Sequence, residues 1–280
     1  MKKVAILGAG FVTKPLADYL IDRCQYQVVM ATRTVSKAEA IIAGRSLSKA
    51  VSWTFDQLDA LEQLVQEMDL IVSMIPPTMH IPVAKACLRH QKPLVTTSYI
   101  SPEMAALDQE AKEKDVILLN ELGEDPGLDH MGAKQMIDEV NKEGGKVRSL
   151  TSYGAGLPSF EYNRNPFGYK FSWSPRGVML AAQTAAGYLK EGKVIEVPAD
   201  QLFSHHWLVD IEGLGTFETY PNRHSLRYLP YFGLDQDTSL YRGLLRFTGW
   251  CNTMKSLVAL NLLNGTEEKD FSNQNYRMFT

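Results

Sequence analysis

A chain of 280 residues has length for two ordinary domains rather than one. Its 45% hydrophobic and 22% charged residues are the composition of a globular protein with material for a core, which excludes disorder as the default state. The net charge of −3, from 29 Lys and Arg against 32 Asp and Glu, excludes a global field that would draw the chain to nucleic acid or an anionic membrane.

From Lys3 to about Asn120, short β-branched runs alternate with helix-like stretches, the pattern of a parallel sheet with helices on its faces. Strands are expected at residues 4–7, 28–31, 70–74, 93–97 and 116–120, with a weaker one near Val51. Their continuous apolar character suits strands covered on both sides. Helical spacing runs over 60–68, 81–89 and 103–114, the last opened by Ser101-Pro102 as N-cap and first-turn residue. A further helix is expected from Leu128 to Asn141, ended by Gly144-Gly145 ahead of a strand over 147–153. Beyond residue 150 the alternation stops, and aromatics and turn signals increase. A helix over 178–189 and strands near 193–197 and 208–211 predict a second domain of α+β type. The expected organisation is therefore a doubly wound Rossmann domain over 1–125 and an α+β domain over 126–280. The polar stretch 265–280 reads as a frayed end.

Within the first domain, the strand over 4–7 enters Gly8-Ala9-Gly10-Phe11-Val12-Thr13. Small residues stand where the backbone must turn tightly and approach a pyrophosphate, and the following helix aims its N–H groups at that anion. The third glycine position is Thr13, whose hydroxyl can donate to phosphate. An ordinary strand-to-helix turn would look similar in isolation, so the second strand matters. It ends in Thr32-Arg33-Thr34, where a site for NAD would place an acid on the ribose 2′-hydroxyl. An acid would repel a 2′-phosphate and Arg33 attracts one, which favours NADP(H) over a merely solvated surface arginine. Ile75-Pro76-Pro77 and Thr97-Ser98-Tyr99 follow later strands at their carboxyl ends, where ligands of open α/β sheets bind.

Several longer motifs occur in order: Glu121-Leu122-Gly123-Glu124-Asp125-Pro126-Gly127-Leu128-Asp129-His130, Asn165-Pro166, Tyr169-Lys170-Phe171-Ser172-Trp173-Ser174 and Tyr220-Pro221-Asn222-Arg223. Together with the glycine turn, Ile75-Pro76 and Thr96-Thr97-Ser98-Tyr99, they make the chain resemble the saccharopine reductase family, the NADP-dependent, glutamate-forming saccharopine dehydrogenases. The resemblance implies an oxidoreductase acting on a CH–NH group. Aminoadipate semialdehyde and glutamate condense to an imine, which NADPH reduces to saccharopine, reversibly. It also implies cofactor contacts at Gly10, Phe11, Val12, Thr13, Arg33, Thr34, Val35, Ile75, Thr97, Ser98, Glu124, Asp125, Pro126 and Ser174, beside Gly8 of the turn. Substrate contacts are implied at Ser98, Tyr99, Asp125, Arg223, Leu244, Leu245 and Arg246. Saccharopine carries three carboxylates and two amino groups, so Arg223, Arg246 and Lys170 suit carboxylates and Asp125 suits an ammonium. Asp125 and Tyr99 are the expected proton-handling, catalytic pair. A turn residue holding its own backbone is the alternative for Asp125, and an aromatic packing residue the alternative for Tyr99.

Three departures from the family pattern carry expectations of their own. Gly154 stands in Ser152-Tyr153-Gly154-Ala155-Gly156-Leu157-Pro158 where the family has cysteine. His224 follows Arg223 where the family usually has Asp. The chain ends at Thr280 while relatives continue, so the second domain is expected to be shortened, and an uncovered sheet edge would favour a homodimer. Rival readings are a related imine reductase such as carboxynorspermidine dehydrogenase, and an NADP(H)-binding protein without turnover. Tyr220-Pro221-Asn222-Arg223 argues against the former, because a polyamine-type substrate would reward acids near the site.

Neither metal nor disulfide chemistry is expected. His205-His206 has only Asp210 nearby and no cysteine, and Asp129-His130 reads as a first-turn acid and a packed imidazole. Three widely spaced cysteines, Cys24, Cys87 and Cys251, suit reduced thiols, and Met1-Lys2-Lys3 leads into a strand rather than a signal core. Apolar runs fall far short of the ~20 residues needed to cross a bilayer. A cytoplasmic protein acting on a small amino-acid substrate is expected.

Overall fold

The computed structural model describes residues 1–264 and divides into two compact units, Met1–Met136 and Ile137 onward. The first begins with β1 (Lys3–Leu7), α1 (Thr13–Asp18), β2 (Gln27–Thr32), α2 (Val35–Ile42), β3 (Ser48–Ser52) and α3 (Leu58–Glu67). It continues with β4 (Leu70–Ser73), α4 (His80–Arg89), β5 (Leu94–Thr96), α5 (Pro102–Ala105), α6 (Asp108–Glu113) and β6 (Leu118–Leu119). All six strands pair in parallel in the order β3-β2-β1-β4-β5-β6. The order reverses between β1 and β4, which is the switch point at which open sheets of this kind bind ligands.

Strand periodicity explains the continuous apolar runs. Val4 and Ile6 of β1 pack with Val28, Met30 and Ala17 on one face, whereas Ala5 and Leu7 pack with Ile71, Val83 and Leu94 on the other. Each face is sealed by helices, so every side chain of β1 after Lys3 is buried. Ser101 caps α5 by accepting the Met104 N–H at 3.1 Å, with Pro102 in the first turn. The single helix expected over 103–114 is instead two, α5 and α6, joined through Ala106 and Leu107.

The helix α7 (Leu128–Lys142) runs across the boundary between the units. The second unit then contains β7 (Ser149–Gly154), α8 (Pro175–Ala181), β8 (Ala186–Lys190) and β9 (Lys193–Val197). After these come β10 (Trp207–Ile211), β11 (Gly215–Pro221), α9 (Leu229–Phe232), β12 (Ser239–Phe247) and α10 (Trp250–Ala259). The second sheet has the order β10-β11-β12-β8-β9, with β7 joined in parallel to β12. Its core is aromatic: Tyr169, Tyr188, Tyr220, Tyr241, Phe203 and Trp250 are all buried in one cluster.

The expected helix over 178–189 is corrected by the structure. Ser174 and Pro175 start it as a capped helix, but α8 ends at Ala181, and Ala186, Gly187, Tyr188 and Leu189 form a buried strand. The run of small residues has helical propensity, yet Gly187 lies against the His224 ring, where a Cβ would come within 2.6 Å of Nδ1. Tertiary packing overrides local preference there. The polar stretch 265–280 lies outside the described residues. No helix among the described residues is long and apolar enough to cross a membrane.

Candidate functional site

At the carboxyl end of β1 the backbone turns through Gly8 at φ 108°, a conformation that L side chains rarely adopt. A Cβ at Gly8 would also meet the Met74 carbonyl oxygen at 3.0 Å, so glycine is required on steric grounds as well. The loop beyond it is open, with Phe11 71% and Val12 49% exposed. Thr13 is fully buried, and its hydroxyl oxygen accepts the Gly10 N–H at 3.1 Å, which shapes the loop from within and leaves the hydroxyl proton to donate. At the tip of β2, Arg33 and Thr34 are exposed and Val35 opens α2, and among the described residues Arg33 makes no ion pair. An exposed glycine loop with a free cation at the next strand end is a chemically suitable cradle for a dinucleotide bearing a 2′-phosphate.

Two further loops meet at the carboxyl end of the sheet. Residues 97–100 follow β5, and the segment after β6 runs alongside them: Glu121 N–H donates to the Ser98 carbonyl at 3.1 Å and Leu122 N–H to the Thr96 carbonyl at 3.1 Å. The Glu121 carboxylate in turn accepts the Ile100 N–H at 3.0 Å. This clamp brings the Tyr99 hydroxyl to 2.6 Å from Asp125 Oδ1, to which it donates. The two residues expected to handle protons are thus hydrogen-bonded to each other. The Asp125–Pro126 peptide is cis, and the Gly123 N–H closes the turn on the Pro126 carbonyl at 2.8 Å. Gly127 completes it at φ 146°, with the Gly123 oxygen lying where a Cβ would fall. Asp129 also holds this turn, its Oδ1 accepting the Gly127 N–H at 2.8 Å.

One residue of this region escaped the sequence reading. His80, 3% exposed at the start of α4, touches the hydroxyls of Ser73, Thr96 and Ser98. Burial depresses its imidazole to about 4, so it is neutral at neutral pH. A lone histidine after Pro76-Pro77-Thr78-Met79 carries no periodicity or motif that would single it out.

In the second unit, Arg246 lies within β12 and is 6% exposed. Its guanidinium carbon sits 5.1 Å from the Tyr169 ring centroid, 5.4 Å from Trp250 and 5.9 Å from Tyr220, an aromatic box that tolerates a buried cation. Nη1 donates to the Leu245 carbonyl at 2.7 Å, and Nε is buried without a hydrogen-bond partner among the described residues. Leu245 is buried beside it and Leu244 half-buried. Arg223 is exposed, at φ 55°, and its carbonyl accepts the Gly187 N–H at 3.0 Å. Ser174 is exposed too, and its hydroxyl oxygen caps α8 by accepting the Gly177 N–H at 3.0 Å. Lys170 Nζ lies 5.6 Å from the Tyr162 ring centroid. Gly154 ends β7 opposite Leu244 of β12, so the position that carries cysteine in the family pattern borders the strand of Arg246. His224 Nδ1 faces Glu196 Oε2 at 3.8 Å.

Glu218, His206 and Cys251 have donor atoms within 4.8 Å of one another. Cys251 is therefore close to His206 in space although no cysteine is near it in sequence, which corrects the expectation of no cysteine beside His205-His206. The Glu218 carboxylate accepts the Gly249 and Cys251 N–H groups, each at 2.7 Å, and so caps α10. His206 Nδ1 lies 2.7 Å from the Phe203 carbonyl oxygen, and burial pushes the Cys251 thiol well above its ordinary range.

Comparison with known proteins turns this architecture into a family. Residues 4–119 match the model described as the saccharopine dehydrogenase NADP binding domain, and residues 123–279 match the saccharopine dehydrogenase C-terminal domain. The chain belongs to the saccharopine dehydrogenase family. The NADP(H) expectation drawn from Arg33 agrees with the first of these matches. The saccharopine dehydrogenase [NADP(+), L-glutamate-forming] of Schizosaccharomyces pombe is 40% identical over 97% of this chain and 60% of its own length. The Mus musculus alpha-aminoadipic semialdehyde synthase, mitochondrial, is 36% identical over 94% of this chain and 28% of its own length. Among solved structures, the apo saccharopine dehydrogenase (L-Glu forming) of Saccharomyces cerevisiae matches with a TM-score of 0.85 at 37% identity, covering 98% of this chain and 61% of that one. The chain thus spans about 60% of the length of the fungal members of the family that it matches.

Proposed function

We propose that this chain carries out the NADP(H)-dependent interconversion of saccharopine with aminoadipate semialdehyde and L-glutamate. The observation that carries this reading is the 2.6 Å hydrogen bond from the Tyr99 phenol to the Asp125 carboxylate at the carboxyl end of a dinucleotide-type sheet. In the reductive direction the aldehyde and the amine of glutamate join with loss of water, and the resulting imine carbon accepts a hydride. NADPH supplies that hydride.

The protein's share is binding and proton management. Gly8, Gly10, Phe11 and Val12 shape the loop for the pyrophosphate, and Arg33 with Thr34 and Val35 takes the 2′-phosphate end. Ile75, Thr97, Ser98 and the Glu124-Asp125-Pro126 turn line the carboxyl end of the sheet, and Ser174 belongs to the same proposed set from the second unit. As the imine carbon takes the hydride its nitrogen must take one proton, and Asp125 with the Tyr99 phenol bonded to it is assigned to relay that proton, receiving it back in the oxidative direction. Arg246 and Arg223 are assigned to carboxylates of the substrate, with Leu244 and Leu245 as apolar neighbours. The aromatic box supports Arg246 in this role, since it holds the guanidinium in a low-dielectric setting with one nitrogen unspent.

NADPH oxidation measured with aminoadipate semialdehyde and glutamate, in competition with NADH, tests the proposal. Turnover with NADPH is the expected result. Activity only with a diamine in place of glutamate would transfer the chain to the related imine reductases. One observation favours a second reading, an NADP(H)-binding protein without turnover: Gly154 leaves β7 without the thiol of the family pattern. Tight NADPH binding with no turnover on either amine would select it. A cytoplasmic setting accompanies the proposal, because Cys24, Cys87 and Cys251 are free thiols. So does a homodimer formed through the outer edge of β9 or β10, which a monodisperse monomer in light scattering would remove.

A further inference from the structure

The loop that carries Ser98 and Tyr99 is held from beneath by His80. Its Nδ1 lies 2.9 Å from Ser73 Oγ at the end of β4. Its Nε2 lies 3.0 Å from Thr96 Oγ1 at the end of β5 and 2.8 Å from Ser98 Oγ in the loop beyond. Ser98 is tied to the same cluster a second time, because its N–H donates to Thr96 Oγ1 at 3.3 Å. Ser73, Thr96 and the imidazole are all buried, so each of these polar groups depends on the others for its hydrogen bonds.

The character of the ring follows from this enclosure. All three of these partners are hydroxyls, and a hydroxyl both donates and accepts, so the cluster matches a neutral imidazole with one donor and one acceptor nitrogen. An imidazolium would present two donors at the amino end of α4, where the helix dipole disfavours positive charge. A histidine that only filled the core would need one partner for each nitrogen. Here Nε2 has a second partner, and that partner, Ser98, lies on the loop that carries Tyr99.

We propose that His80 is a positioning residue for the reaction: its imidazole fixes the Ser98 hydroxyl and the backbone of residues 97–99, and thereby the Tyr99 phenol that donates to Asp125. The inference rests on the reading of Ser98, Tyr99 and Asp125 as the reacting set. His80 itself touches neither substrate nor cofactor in this assignment.

Two amide substitutions divide the ring's functions. His80→Asn puts a polar atom near the Nδ1 position and can keep the Ser73 contact, whereas His80→Gln reaches toward the Nε2 position and can keep Ser98 and Thr96. H80N gives up two of the three hydroxyl partners and H80Q one, so a purely structural histidine predicts a larger loss of melting temperature in H80N but similar kcat for the two folded enzymes. Positioning predicts that H80Q retains kcat within a few-fold while H80N loses on the order of 10²-fold, the scale of an ångström-sized misplacement, with little change in the KM for NADPH. Ser98→Ala is expected to slow turnover in the same way, and H80N combined with S98A is expected to be no slower than S98A alone. Equal kcat in H80N and H80Q would overturn the proposal. So would an S98A enzyme with wild-type turnover, whether or not H80N folds. A wild-type protein that binds NADPH and turns over no saccharopine sinks the functional reading instead, and is thereby distinguished from failure of the His80 assignment.

Discussion

The two units keep their polar chemistry in opposite places. In the first, the central strands carry no buried charge and the chemistry stands on loops at one end of the sheet: Gly8, Arg33, Tyr99 and Asp125 all follow a strand rather than belong to one. In the second, charge is built into the strands, with Glu218 on β11 directly opposite Arg246 on β12 and Arg242 four residues earlier, each at least nine-tenths buried. Loop residues can be changed without disturbing a core, so the first unit separates function from stability everywhere except at the buried His80 cluster. The second couples them.

The largest expected effect is functional and belongs to the first unit. Asp125→Ala should lower kcat by roughly 10²–10⁴-fold, the usual contribution of a general acid or base, while changing the urea midpoint little. A rate loss accompanied by an equally severe loss of stability would break the comparison. Next comes Glu218→Ala in the second unit, which orphans the Gly249 and Cys251 amides at the start of α10. It should cost about 3 kcal/mol in denaturant unfolding, since buried donors left unpaired forfeit their solvation.

A pH experiment sharpens the same contrast. His80 titrates near 6.5 when unfolded and at about 4 when folded. Between those values the unfolded chain binds more protons, so stability falls as the pH is lowered from 6.5 toward 4, by up to about 3 kcal/mol in total. Burial depresses His205 of the second unit as well, which adds a contribution of the same sign. Urea melts across this window should therefore show a slope that H80Q reduces without abolishing. An unchanged slope in H80Q would place the acid sensitivity elsewhere.

The smallest effect is on selectivity. Arg33→Ala should weaken NADPH binding about tenfold, the value of one charge-assisted contact, and leave NADH unchanged. Equal weakening of both, in fluorescence titrations, would detach Arg33 from the 2′-phosphate.

The same division decides what the sequence could disclose. Strands β1, β2 and β4 announce themselves because both faces are covered, so their central positions are continuously apolar and no alternation confuses the pattern. Asp125 and Tyr99 stand out as candidates through the motifs around them, although nothing in those motifs shows that they touch. β11 and β12 went unexpected because Glu218, Arg242 and Arg246 interrupt their apolar runs, and only the folded environment explains those charges: a helix amino terminus for Glu218, the Tyr228 ring for Arg242, and three rings for Arg246. The strand at Ala186–Lys190 was mistaken for helix because small residues satisfy helix propensity, whereas the decision lay with His224 and Glu196 against Gly187. His80 was invisible for a related reason, since its three partners come from two strand ends and a loop.

Each unit also encloses one thiol. Cys87 sits on α4 in the first core, where burial and the nearby Glu62 charge push it up to about 12, and Cys251 opens the interior face of α10 in the second, raised for similar reasons. Only Cys24 is partly exposed. An alkylating reagent that needs thiolate should therefore modify Cys24 in the native protein and reach the other two only when their surroundings open. The labelling rates of Cys87 and Cys251 become two independent clocks, one for each unit, and their ratio reads out whether the units open together or one after the other.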